Sequence, residues 1–125
     1  MEFPLMSKSV GIVWSHISSI EGLALWFADN VKEEGTKITF SWGDIWTAME
    51  ERSAEILEME KYQYVRLKWD DDSEDDTYWE MKIQKGDETD SLHLVITDFA
   101  EKHEVQAAKE MWNENMEKLH KASGI

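Results

Sequence analysis

Hydrophobic positions along this chain keep two different periods, and the changes between them mark out its elements. In Met1–Met6, Phe3 and Leu5 share one alternating face and Pro4 suits a sheet edge, which predicts a short first strand. From there the spacing lengthens. Val10, Val13, Trp14 and Ile17 recur at three and four residues, a helix that Ser7 or Ser9 can cap, with Ser18-Ser19 ending it and capping another. Glu21–Ala28 makes that second short helix, and Asp29-Asn30 with Lys32–Gly35 supplies turn chemistry after it.

At Lys37 the period shortens to two. Ile38, Phe40 and Trp42 alternate with Thr39 and Ser41 until Gly43-Asp44. The stretch Trp46–Met59 is rich in helix formers such as Ala48, Met49, Glu50 and Ala54, so helix and strand compete there. The alternating segments on either side favour a strand over about Ala48–Leu57. Tyr64–Trp69 and Thr77–Ile83 form a hairpin across the tip Asp70–Asp76, and a Gly86-Asp87 turn leads to a strand over Ser91–Phe99, with Leu92, Leu94 and Ile96 on one face. The helical period then returns. Val105, Ala108, Trp112, Met116 and Leu119 form one apolar stripe on a helix from about Glu101 to Ala122, stopped by Ser123-Gly124 with Lys118, His120 and Lys121 in its last turn.

This order predicts an α+β fold: a curved antiparallel sheet of about six strands closing around a long C-terminal helix, with two short helices after the first strand. A chain of 125 residues suits one domain, 1–125, and buries roughly two thirds of the surface its unfolded form exposes. Composition supports a packed core, with seven Trp and seven Met in a chain that is 42% hydrophobic. The absence of Cys removes disulfides, thiolate chemistry and Cys-bound zinc, and fits a reducing, cytoplasmic setting. No basic leader and no apolar run near 20 residues is visible, so neither secretion nor membrane insertion is expected. A net charge of -14 with dispersed Lys and Arg repels phosphate backbones and argues against nucleic acid as a partner.

The segment Ile17–Asp29, with Gly22-Leu23-x-x-Trp26-Phe27 at its centre, is followed later by Ile96-Thr97-Asp98-Phe99-Ala100-Glu101 and then Trp112. In these landmarks the chain resembles the START-like proteins of Bacteroidetes. They belong to the branch of the START or Bet v 1-like (SRPBCC) superfamily named after the activator of a heat-shock-protein ATPase. The resemblance covers nearly the whole chain, although Pro4 is unusual in its first strand. It implies a helix-grip fold, in which the sheet wraps the C-terminal helix and often leaves a cavity for apolar ligands. It carries no catalytic motif.

Several constellations are open to a functional reading. Ile38, Phe40, Trp42, Val65, Leu67, Trp69, Trp79, Met81, Ile83, Leu92, Leu94 and Ile96 would line the sheet's inner face, opposite Val105, Ala108, Trp112 and Met116. The set expected to contact a ligand is Phe40, Trp42, Leu67, Trp69, Trp79, Met81, Leu94, Ile96, Ala108, Trp112 and Met116. Large rings with adaptable Met between them suit a lipid or hydrophobic small molecule; the same rings can instead fill a solid core. The acidic tip Asp70–Asp76 places carboxylates at alternate positions as calcium loops do, but Asp75 and Met81 stand where such a loop needs Gly and Glu. It reads as a solvated hairpin tip.

His16, His93, His103 and His120 are scattered without metal-ligand spacing, and His93 is expected to point outward. Asp98 continues the inward face of its strand and is expected to cap the last helix or bond a neighbouring backbone amide. Trp46, in a turn, and Tyr62, Tyr64 and Tyr78, on the polar side of their strands, make either a protein contact or homodimer face, or ordinary cross-strand support. No positioned acid-base pair is visible, which leaves a polyketide-cyclase-like enzyme as the least supported class. The expectation is a non-enzymatic module without cofactor that binds a hydrophobic small molecule or lipid, or else an interaction protein associated with a chaperone.

Overall fold

A computed structural model describes residues 1–43, 49–86 and 90–125. Its elements run β1 (Glu2–Pro4), α1 (Val10–Ser18), α2 (Ile20–Trp26), β2 (Asn30–Glu34), β3 (Lys37–Trp42), β4 (Glu50–Glu60), β5 (Tyr64–Trp69), β6 (Trp79–Lys85), β7 (Leu92–Asp98) and α3 (Val105–Ser123). Among the described residues, seven strands form one antiparallel sheet in the order β1-β7-β6-β5-β4-β3-β2. Expected features at Asp44, Trp46, Ala48 and Asp87 lie outside the described residues.

The additional strand is β2, which the sequence reads as a turn. Only Val31 of it is buried, and a single apolar position cannot display a period of two. Pairing with β3, Val31 opposite Phe40, holds it extended. The contested segment is a strand. β4 pairs with β3 and β5, turning Arg52, Ala54 and Ile56 inward, and an irregularity between Ile56 and Glu58 shifts its register toward β5.

The two short helices are fixed by their caps and by one glycine. The Ser9 hydroxyl accepts from the Ile12 N–H at 3.3 Å, and the Ser19 hydroxyl from the Gly22 N–H at 3.0 Å. Gly22 lies against the end of α1, where an added Cβ would sit 2.2 Å from the Ser15 carbonyl oxygen and 2.6 Å from His16 Cα. That contact aims α2 so that the Trp26 indole donates to the His16 carbonyl at 2.8 Å and Phe27 enters the core. At the far end of the chain, Gly124 adopts φ +69 and its N–H bonds the His120 carbonyl at 2.9 Å, closing α3.

Candidate functional site

The core is filled where the sheet meets the second half of α3. Phe40, Leu67, Met81, Leu94, Ile96, Trp112, Met116 and Leu119 are all buried there. Phe27 stands at the centre of an aromatic cluster, stacked on Trp79 at 5.2 Å and 5.6 Å from Trp112. Trp69 also stacks on Trp79, at 4.9 Å, and lies 6.5 Å from Phe27. The Trp42 indole donates to the Phe27 carbonyl at 2.9 Å, which ties β3 to the end of α2.

Packing stops short of the first half of α3. Val105 and Met111 are exposed and Ala108 is half-buried, so this part of the helix stands off the sheet. Beneath it lies an open cleft of about 570 Å³. Phe27, Trp42 and Trp69 form its sheet-side wall, Ala107, Ala108, Met111 and Trp112 its helix-side wall, and Asp98, Asn115 and Lys118 bring polar groups to it. Past Arg52 and Trp69 a second recess of about 540 Å³ runs on toward the β5–β6 tip, bordered by Trp79, Tyr78 and Asp98.

The polar groups of this region are specific in their placement. Arg52 lies over the Trp69 ring at 4.0 Å and donates to both Asp71 oxygens, at 2.7 and 3.0 Å. That pairing holds the Asp71 carboxyl below its ordinary value. Asp98 accepts the Trp112 indole N–H at 2.9 Å, joining the end of β7 to the middle of α3. Burial pushes the Asp98 carboxyl above its ordinary value, opposed by the Trp112 indole and the Phe99 backbone N–H. Asp98 therefore faces inward as expected. Its side chain caps neither the 3-10 turn Lys102–Glu104 nor α3, whose N-cap positions are Glu101 and Glu104; it takes the backbone N–H of its neighbour Phe99, the other expected role, together with the Trp112 indole. The lining of the recess is acidic: it holds Asp71, Asp72, Glu74, Asp98, Glu101 and Glu104 against Arg52 and Lys102.

The expected contact residues divide between cleft and core. Trp42, Trp69, Ala108 and Trp112 line the cleft, Trp79 the recess, and Ile96 a smaller hollow of about 420 Å³ that also borders Phe99 and Ala100. Phe40, Leu67, Met81, Leu94 and Met116 lie in the packed core behind these walls. Phe27, Arg52 and Met111 are cleft residues outside that set.

The other constellations resolve into structural roles. Asp70 pairs with Lys37 at 2.8 Å, Asp71 with Arg52, and Asp72 with Lys68 at 3.4 Å and the Thr77 hydroxyl, so three of the tip's six acids are turned back on the sheet. The outer face carries its own network: Arg66 bonds Glu80 at 3.0 Å and covers Tyr78 at 4.4 Å, while Tyr64 bonds Glu58. Tyr62 departs from the expectation. It turns at φ +67 in the β4–β5 connection and packs edge-on against Trp14 of α1 at 6.3 Å. His93 pairs with Glu2 at 3.3 Å across the β1–β7 ladder.

A family model of the START-like superfamily domain matches residues 1–125. A Bacteroides fragilis protein solved in solution is similar at 36% identity, covering 97% of this chain and 86% of that one, with a TM-score of 0.64. The Aha1 dimer of Colwellia psychrerythraea is similar at 9% identity over 95% and 90% of the two chains, TM-score 0.70. The AHSA1 protein of Silicibacter pomeroyi is similar at 14% identity over 95% and 93%, TM-score 0.69. The last two likenesses show the fold alone. None of the curated proteins compared matches the chain.

Proposed function

Since the chain belongs to the START-like superfamily, we propose that it is a non-enzymatic binding module that holds a hydrophobic small molecule or lipid in the cleft between its sheet and the first half of α3. The observation that carries this reading is the cleft's wall. Phe27, Trp42, Trp69 and Trp112 present rings to a space of about 570 Å³, within the range that encloses a small ligand. Met111 supplies an adaptable edge on the helix side.

Within this reading, Trp42, Trp69, Ala108 and Trp112 touch the ligand together with Phe27 and Met111. Phe40, Leu67, Met81, Leu94 and Met116 hold those walls from behind, while Trp79 borders the adjoining recess and Ile96 the smaller hollow beside Phe99. A chaperone-associated role would rest on the Aha1 and AHSA1 likenesses, which extend to the fold and no further.

Titration with the neutral apolar dye N-phenylnaphthylamine tests the reading. A saturable rise in dye emission with energy transfer from tryptophan is expected, and Trp112→Ala should alter it. Emission that never saturates, or that Trp112→Ala leaves untouched, would contradict it.

A further inference from the structure

Two opposed strand positions bring a donor-bearing and an acceptor-bearing side chain to the polar end of the site. Trp79 and Asp98 are directly opposed on the β6–β7 ladder, so their side chains leave neighbouring backbone positions on one face of the sheet. Both border the recess that continues the cleft. Trp79 is 1% exposed, and its indole N–H has no acceptor among the described residues. A buried N–H without a partner is rare in folded proteins and points to a group that completes it. Asp98 holds the Trp112 indole with one oxygen and has lone pairs to spare.

Resting on the ligand-binding reading above, we propose that the site selects amphiphiles whose apolar body lies in the cleft and whose polar end is an uncharged hydroxyl. The hydroxyl oxygen accepts from Trp79 and its proton is donated to Asp98. A hydroxyl satisfies both groups at once, which an ether, a hydrocarbon or an ammonium does not. A carboxylate or phosphate end meets the six carboxylates of the lining against two cations, of which Arg52 is already engaged by Asp71.

Competition for N-phenylnaphthylamine by ligands sharing one ten-carbon chain tests this on the unaltered protein. Decanol should displace the dye at about tenfold lower concentration than decyl methyl ether, the worth of one hydrogen bond, with decanoate weaker still. Trp79→Phe keeps an apolar ring without the donor and should weaken decanol about tenfold more than it weakens undecane. Equal displacement by decanol, ether and decanoate would overturn head selection and leave apolar binding standing. Displacement by none of them, with no saturable dye binding, would overturn both.

Discussion

α3 buries Trp112, Met116 and Leu119 in the core, with Trp112 also walling the cleft, whereas from Val105 to Met111 the same helix stands off the sheet over that cleft. The two halves continue one apolar stripe, so hydrophobicity alone does not separate them. What separates them is what each half meets. The second half meets Phe27 and Trp79, whose rings lie 5.6 and 6.2 Å from Trp112. The first half faces Arg52, Asp98 and Phe99, whose side chains are spent on Asp71, Trp112 and Tyr78 instead. One helix thus serves as plug at one end and as lid over a cleft at the other.

The largest test of that contrast lies in the plug. Leu119→Ala removes a fully buried side chain and should cost about 2–5 kcal/mol in urea unfolding. A loss under about 1 kcal/mol would mean that this end is not closed. Gly22→Ala should cost about 1–3 kcal/mol or more, because its methyl would overlap the Ser15 carbonyl and push α2, with Phe27, out of place. An unchanged melting temperature would remove Gly22 from the account.

At the boundary between the halves, Asp98→Ala strands the Trp112 indole and should cost about 1–3 kcal/mol, while Asp98→Asn keeps an acceptor and should cost less. Their pH dependence sharpens this. The fold favours protonated Asp98, so the stability that carboxyl lends is complete below its ordinary 3.8 and is lost as pH rises through its raised folded value. Asp71 and Asp72 run oppositely: Arg52 lowers the first and the Thr77 hydroxyl the second, so their contribution is present above 3.8 and lost as pH falls through their folded values. Asp98→Asn removes only the first effect. Relative to the unaltered protein it should gain stability as pH rises from about 3 to about 7, and a difference constant over that range would contradict the assignment. The smallest effect belongs to the lid, where Met111→Ser should change stability by no more than about 0.5 kcal/mol and yet weaken dye binding.

How far the sequence revealed all this depended on whether a residue's own element announced its direction. β5 and β6 alternate cleanly, and their inner residues were legible. β2 was not, since Lys32, Glu33 and Glu34 surround the one buried Val31 at a sheet edge. β4 is built of helix formers, and only its neighbours' period argued for a strand. In the site, Trp42, Trp69, Ala108 and Trp112 followed from periodicity. Phe27 did not, because it lies at the end of a seven-residue helix whose direction Gly22 sets by contact with α1. Arg52 carried a usable signal, being in phase with Ala54 and Ile56, but its charge argued for solvent until the Trp69 ring and Asp71 were seen to hold it. Nor did periodicity distinguish plug from lid, because that depends on partners far away in the chain.

The central claim, that the space under the first half of α3 is a binding cleft, is tested most directly by filling it. Ala108→Trp places a large ring in the cleft at a half-buried position without touching the core. Saturable N-phenylnaphthylamine binding by the unaltered protein and its loss in Ala108→Trp, with the unfolding midpoint unchanged, is the predicted result. Equal dye binding by both proteins would contradict the account.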